Sequence, residues 1–118
     1  MSLPQFSTLQ TQEEREKLFA QARKASELLK ALSHEDRLVI LCLLTEGERS
    51  VSELEETMGM TQAAVSQQLA RLRFDRLVNT RRDGRVIYYS LASTEVAPVI
   101  GTLYDLFCAP IRNSETEA

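Results

Sequence analysis

A cluster of six arginines, two cysteines and a single histidine are the side chains through which this 118-residue chain is best equipped to bind or react. Arg71, Arg73, Arg76, Arg81, Arg82 and Arg85 crowd one short stretch and meet only Asp75 and Asp83 there. The local balance is +4 on a chain of net charge −3, so the other residues carry −7. A basic strip on an acidic body makes a footprint for phosphate groups, while the acidic remainder limits indiscriminate attachment to polyanions. Cys42 and Cys108 are too few for a disulfide framework. The polar stretch Met1 to Gln12 lacks the apolar core of a secretory signal, so both are expected to start as reduced thiols in the cytoplasm. Buried cysteines commonly serve as small apolar residues, and sixty-six positions of separation do not by themselves bring these two together. His34 is better suited to hydrogen bonding at a helix terminus than to metal ligation, because zinc wants about four N or S ligands. With no Cys-x-x-Cys and no second histidine to act as base, a thiol enzyme is disfavoured, and no metal or cofactor site is expected.

Composition sets the frame for these groups. With 43% hydrophobic and 26% charged residues, the chain reads as one globular domain over residues 11–109, flanked by flexible ends at 1–10 and 110–118. No apolar run approaches the roughly 20 residues a membrane helix needs, so no membrane partner is expected.

Thr11 with Glu14 forms a capping box that opens a helix of about twenty residues. Leu18, Ala22, Ala25, Leu29 and Leu32 then recur at three- and four-residue steps. Such a stripe suits either dimer packing or the domain core. Ser33 with Asp36 is the expected cap of a second helix, whose unbroken run Leu38 to Leu44 predicts burial on nearly all sides. Ser50 with Glu53 caps a third helix that turns Val51, Leu54 and Met58 inward and closes at Gly59.

Thr61 caps a fourth helix reaching about Arg73, with Val65, Leu69 and Leu72 on its inner face. Its other face carries Gln62, Ala63, Ser66, Gln67 and Arg71, which are small, hydrogen-bonding or basic. Small residues permit close approach to a major groove, and Gln or Ser reach base edges and phosphates. Leu77-Val78 and Val86 to Leu91 are strand-like, and Asp83-Gly84 predicts a type I′ hairpin turn between them. Arg81, Arg82 and Arg85 crowd the tip, where phosphate or minor-groove contact explains them best. Ser93 or Thr94 is expected to open a last helix. Val96, Val99, Ile100, Leu103, Leu106 and Phe107 line its apolar face, and Pro110 is its expected end.

The order α-α-α-α-β-β-α, mainly α with a β-hairpin wing, resembles the ArsR/SmtB winged-helix transcriptional repressors. Four segments carry the resemblance: Leu32 to Leu38, Val51 to Leu54, Thr61 to Leu69 and Arg82 to Tyr89. They span about positions 28 to 92. The resemblance implies a homodimer built on the first and last helices that represses promoters. Its fourth helix would read an inverted-repeat operator in double-stranded DNA, one half-site per subunit, through Thr61, Gln62, Ala63, Ser66, Gln67 and Arg71, with Arg81, Arg82 and Arg85 in the wing.

Many members sense metals through a thiolate pair at the third helix, where this chain has Val51-Ser52-Glu53-Leu54-Glu55. The remaining pair, Cys42 and Cys108, is similar to the branch that senses reactive sulfur species, the sulfide-responsive and biofilm-growth-associated repressors. In that branch persulfides such as glutathione persulfide join two cysteines of one subunit through a disulfide or longer polysulfide bridge. The expectation is release from the operator and derepression of sulfide-detoxification genes. A metal-responsive repressor and a general thiol-oxidant sensor are the alternatives.

Overall fold

The computed structural model describes residues 11–92 and 95–111. The element order is α1 (Gln12–Leu32), α2 (Glu35–Thr45), β1 (Arg49–Ser50), α3 (Val51–Met58), α4 (Gln62–Phe74), β2 (Val78–Asp83), β3 (Val86–Leu91) and α5 (Val96–Leu103). A π-helical turn, Tyr104–Cys108, continues α5. The chain divides into two units, one ending at Lys30 and one from Ala31 onward. In the first, the Thr11 side chain accepts from the Glu14 N–H at 3.1 Å and starts α1, along which Phe19 and Leu29 are exposed. Among the described residues no helix is long and apolar enough to cross a membrane.

The second unit is the winged helix the sequence predicts, with one element added. Two extended residues, Arg49 and Ser50, form β1 and pair antiparallel with Tyr89 and Tyr88, giving a three-stranded sheet of order β1-β3-β2. Ser50 is both a strand residue and the N-cap of α3: its side chain accepts from the Glu53 N–H, and the Glu53 carboxylate accepts from the Ser50 N–H. This reciprocal pairing fixes where the strand stops and the helix begins. Leu54, Val65, Leu69, Leu72, Ile40, Leu41 and Ile100 are buried together, so α2, α3, α4 and α5 share one core.

Several expectations are corrected. The cap of α2 is His34 rather than Ser33: its Nδ1 accepts from the Asp36 N–H at 3.2 Å. That is the helix-terminus role expected of this histidine. Only Ile40, Leu41 and Leu44 of α2 are buried, and Val39 is exposed, so one flank of the helix stays open. The expected Ser93 or Thr94 helix start falls outside the described residues, and helix runs from Val96 through Ile111, past Pro110. The wide i→i+5 turn just before Pro110 relaxes the ladder where proline offers no N–H. Val96 and Ile100 are buried, but Leu106 and Phe107 are exposed, so the apolar face of the last helix is covered only over its first turns.

The hairpin loop is Gly84-Arg85, not Asp83-Gly84, because Asp83 pairs with Val86 and closes the ladder. Gly84 has φ of 66° and Arg85 is not in the left-handed region. Positive φ at the first central residue alone is the type II′ requirement, whereas type I′ needs it at both.

Leu77 is likewise not in the strand. Its N–H donates to the Leu72 carbonyl and the Arg76 N–H to the Arg73 carbonyl, a Schellman closure of α4. The left-handed position of that motif is held by Arg76, at φ 61°. An L side chain is disfavoured there and glycine is not. Arg76→Gly is therefore expected to stabilise the fold by about 1 kcal/mol. A urea midpoint that rises with unchanged m would show it; an unchanged or lower midpoint would refute it.

Candidate functional site: a nucleic-acid interface and a dithiol cleft

The α3-turn-α4 unit is set by three local devices. Gly59, at φ 64°, terminates α3, and its N–H and that of Met60 both donate to the Glu55 carbonyl. Thr61, in extended conformation, then caps α4 by accepting from the Ala64 N–H at 3.2 Å. Burial of Val65, Leu69 and Leu72 fixes the rotation of α4. The same rotation leaves Gln62, Ala63, Ser66, Gln67 and Arg71 exposed beside Thr61. The helix is also tied from behind: Arg37 donates from Nη1 to the Gln68 carboxamide at 3.2 Å and from Nε to the Ala31 carbonyl at 2.6 Å. That tie of α2 to α4 has no local sequence signal beyond a charged residue in an apolar helix.

The six arginines of the basic strip are not equivalent. Arg71 is held by Asp75 at 2.9 Å, one helical turn away. Arg81 makes a forked contact with Glu48 across 33 positions of sequence, with Nε at 3.0 and 2.9 Å from the two carboxylate oxygens and Nη2 bonded to Oε1. Its guanidinium also lies 4.6 Å from the centroid of the Tyr88 ring, its cross-strand partner. The hydrogen bonds from Arg81 lower the Glu48 pKa below the usual carboxylate value, and the same bonds raise that of Arg81. Among the described residues Arg73, Arg76, Arg82 and Arg85 have no ion-pair partner, and Arg82 and Arg85 stand at the exposed end of the wing. Sequence reasoning missed Glu48, which lies in the turn after α2 and far from the wing in the chain.

The open flank of α2 and the last helix enclose a cleft of about 960 Å³. Its walls are largely apolar, from Leu38, Val39, Leu43, Ile100 and Phe107, and both thiols line it. Cys42 is half-buried and Cys108 exposed, and the two are not linked. Burial pushes the Cys42 thiol above its ordinary pKa, and the nearby Cys108 and Glu46 push it in the same direction. A raised pKa means less thiolate at neutral pH. In Cys108→Ser, which isolates Cys42, the rate of alkylation should rise with pH and reach half its plateau above the ordinary cysteine value of about 8.5. A plateau reached below that pH would contradict the burial of this thiol. Among the described residues no three His, Cys, Asp or Glu side chains converge where a metal ion could be held.

Residues 34–80 match the family model described as bacterial regulatory protein, arsR family. Over 85 residues the chain is 49% identical to the transcriptional activator HlyU of Vibrio cholerae, covering 72% of this chain and 79% of that protein. The chain belongs to the ArsR family. It is also 44% identical over 95 residues to the biofilm growth-associated repressor of Xylella fastidiosa, covering 80% of this chain and 83% of the relative. The fold agrees with solved members. Reduced HlyU from Vibrio cholerae matches with a TM-score of 0.75 at 46% identity, over 78% of this chain and 97% of that one. The Xylella fastidiosa repressor BigR gives 0.74 at 44%, over 80% and 97%. This ArsR-family chain is thus a winged-helix transcriptional regulator and not an enzyme, and members of its family bind DNA.

Proposed function

We propose that this regulator is a homodimeric repressor of an inverted-repeat operator, released when persulfides link Cys42 and Cys108. The observation that carries the proposal is the placement of both thiols, unlinked, on one cleft between α2 and the last helix. α2 packs on α4 as well as on α5, so a link across the cleft pulls on a helix that supports the recognition helix. Two further observations support the reading. A relative's structure is distinguished as the reduced form, which fits a regulator whose redox state matters. Exposed Leu106 and Phe107, with the stripe along α1, supply apolar surface for a second subunit. Repression is the sign assigned, as in the biofilm growth-associated relative, although another relative is an activator. Action on promoters places the protein in the cytoplasm.

The chemistry balances without a metal or cofactor. The Cys42 thiolate attacks the outer sulfur of a persulfide RSSH, giving Cys42–SSH and RSH. Attack by Cys108 on the Cys42 sulfur then expels hydrosulfide and leaves a disulfide. If a second RSSH first extends the adduct, attack on the middle sulfur expels hydrosulfide and leaves a trisulfide. An ordinary disulfide demands Cα atoms about 4.4–6.8 Å apart, and an inserted sulfur relaxes that demand. Thiols held slightly too far apart would favour persulfide over peroxide.

Intact-mass and peptide analysis after glutathione persulfide tests the reading. An internal Cys42–Cys108 link carrying one or more extra sulfur atoms is expected, with little reaction under equimolar peroxide. Equal linkage and release by diamide or peroxide would favour a general oxidant sensor. Stoichiometric metal in reduced protein, lost in Cys42→Ser, would favour the metal-responsive alternative.

A further inference from the structure

We infer that Glu48 is a selectivity residue of the wing, occupying Arg81 as a stand-in for phosphate until a correctly seated DNA backbone replaces it. The inference rests on the proposed role of Arg81 as a DNA contact. The contact has the geometry a phosphate would use: two guanidinium donors, Nε and Nη2, face the two oxygens of one carboxylate. A guanidinium fork binds carboxylate and phosphate alike in this way.

The pair is also placed where it can open. The Arg81 and Glu48 side chains are 53% and 37% exposed, and Glu48 lies in the turn after α2 rather than in the hairpin itself. Ion pairs this accessible add little to stability, because water and salt compete for both partners. Tyr88 gives Arg81 a second hold. Its ring keeps the guanidinium in place by cation–π attraction when the carboxylate is displaced, so the fork stays aimed. Glu48 itself is anchored near the start of α3, since the next residue, Arg49, is already paired with Tyr89 in the sheet. Because β1 pairs with the wing strand β3, this backbone moves with the wing, and the exchange needs only rotation of the Glu48 side chain away from Arg81.

Selectivity follows from which DNA can perform the exchange. On an operator, the seated recognition helix fixes the wing against the backbone, and a phosphate meets Arg81 in place of Glu48. On other duplexes the wing is not seated and Glu48 retains the cation. Among the described residues the neighbouring Arg82 and Arg85 have no such partner, and they serve any duplex. Glu48 thus withholds one charge per subunit from wrong sequences, a repulsive element of the kind specificity requires.

The test is a double-mutant cycle on the full chain with Glu48→Gln, Arg81→Gln and both together. Affinity for operator and for a scrambled duplex is measured across a salt series, with circular dichroism as the folding control. In Glu48→Gln the scrambled-duplex affinity is expected to rise about 3–10-fold, with a salt slope steeper by about 1 per subunit. Operator affinity rises less, so selectivity falls. In the Arg81→Gln background the same Glu48 change is expected to have no effect on either duplex. Weaker binding by Glu48→Gln to both DNAs would make Glu48 a strut and overturn the inference. An equal rise with and without Arg81 would show only general charge repulsion and also overturn it. Unchanged affinity and slope in Arg81→Gln alone would instead remove Arg81 from the interface, a failure of the underlying assignment that takes the inference with it.

Discussion

Replacing Arg82 and Arg85 together by alanine is expected to weaken operator binding on the order of 100-fold at physiological salt, and to flatten the slope of log K against log salt by about 2 per subunit. Both arginines stand exposed near the wing tip and have no ion-pair partner among the described residues. The Gly84 turn holds them there without help from their side chains, so their loss leaves the hairpin intact. Each removed phosphate contact retains counterions on the DNA, and the loss is therefore greatest at low salt. Anisotropy titrations across a salt series read both quantities. An unchanged slope would mean the wing does not touch the backbone, and the winged helix would then serve protein contacts.

Leu69→Ala should cost about 2–5 kcal/mol and lower the melting temperature on the order of 15 °C. Leu69 is fully buried at the centre of α4, between Val65 and Leu72, where three helices converge on the core. Truncation leaves a cavity that packed neighbours cannot fill, and the loss is a large part of a stability of roughly 5–15 kcal/mol. Gln67, exposed on the opposite face of the same helix, gives the contrast. Gln67→Ala is expected to change stability by less than about 0.5 kcal/mol while weakening operator binding. Thermal melts paired with operator titration separate the two. A similar loss of stability in both would contradict the assignment of inner and outer faces.

Which features were legible in the sequence follows from the range of the interactions behind them. The caps at Ser50, Gly59 and Thr61 are side-chain and backbone chemistry within four residues, and the α3-turn-α4 unit stands where that chemistry puts it. At α2 two neighbouring residues could cap, and serine is the commoner choice; the structure uses His34 Nδ1 instead. The one-residue slip at the hairpin has a similar origin. Asp-Gly is a strong type I′ signal, but only Gly84 takes positive φ, and the ladder runs one pair further. β1 is two residues long and exists only because β3 lies beside it. The Glu48–Arg81 fork joins residues 33 apart and has no local signature. Likewise, the cleft that brings Cys42 and Cys108 to common walls depends on α5 packing against α2, which spacing cannot show.

The open flank of α2 is the feature on which the proposed regulation rests. A fully buried Cys42 would be a small apolar core residue, inert to solutes. Half-buried beside a second, exposed thiol, it is reachable while its thiolate is kept scarce. Scarce thiolate slows attack on weak oxidants, and under the proposed function geometry then decides which reagent bridges the pair.

Whether a link between Cys42 and Cys108 controls DNA binding is decided by operator affinity in the reduced and the linked protein. Operator affinity is titrated in reduced protein, then after glutathione persulfide with intact mass confirming the Cys42–Cys108 link, and again after dithiothreitol. A fall of roughly 10–100-fold on linkage, restored by the reductant and absent in Cys42→Ser and Cys108→Ser, is the expected result. Full operator affinity in a sample whose mass shows complete linkage would contradict the account.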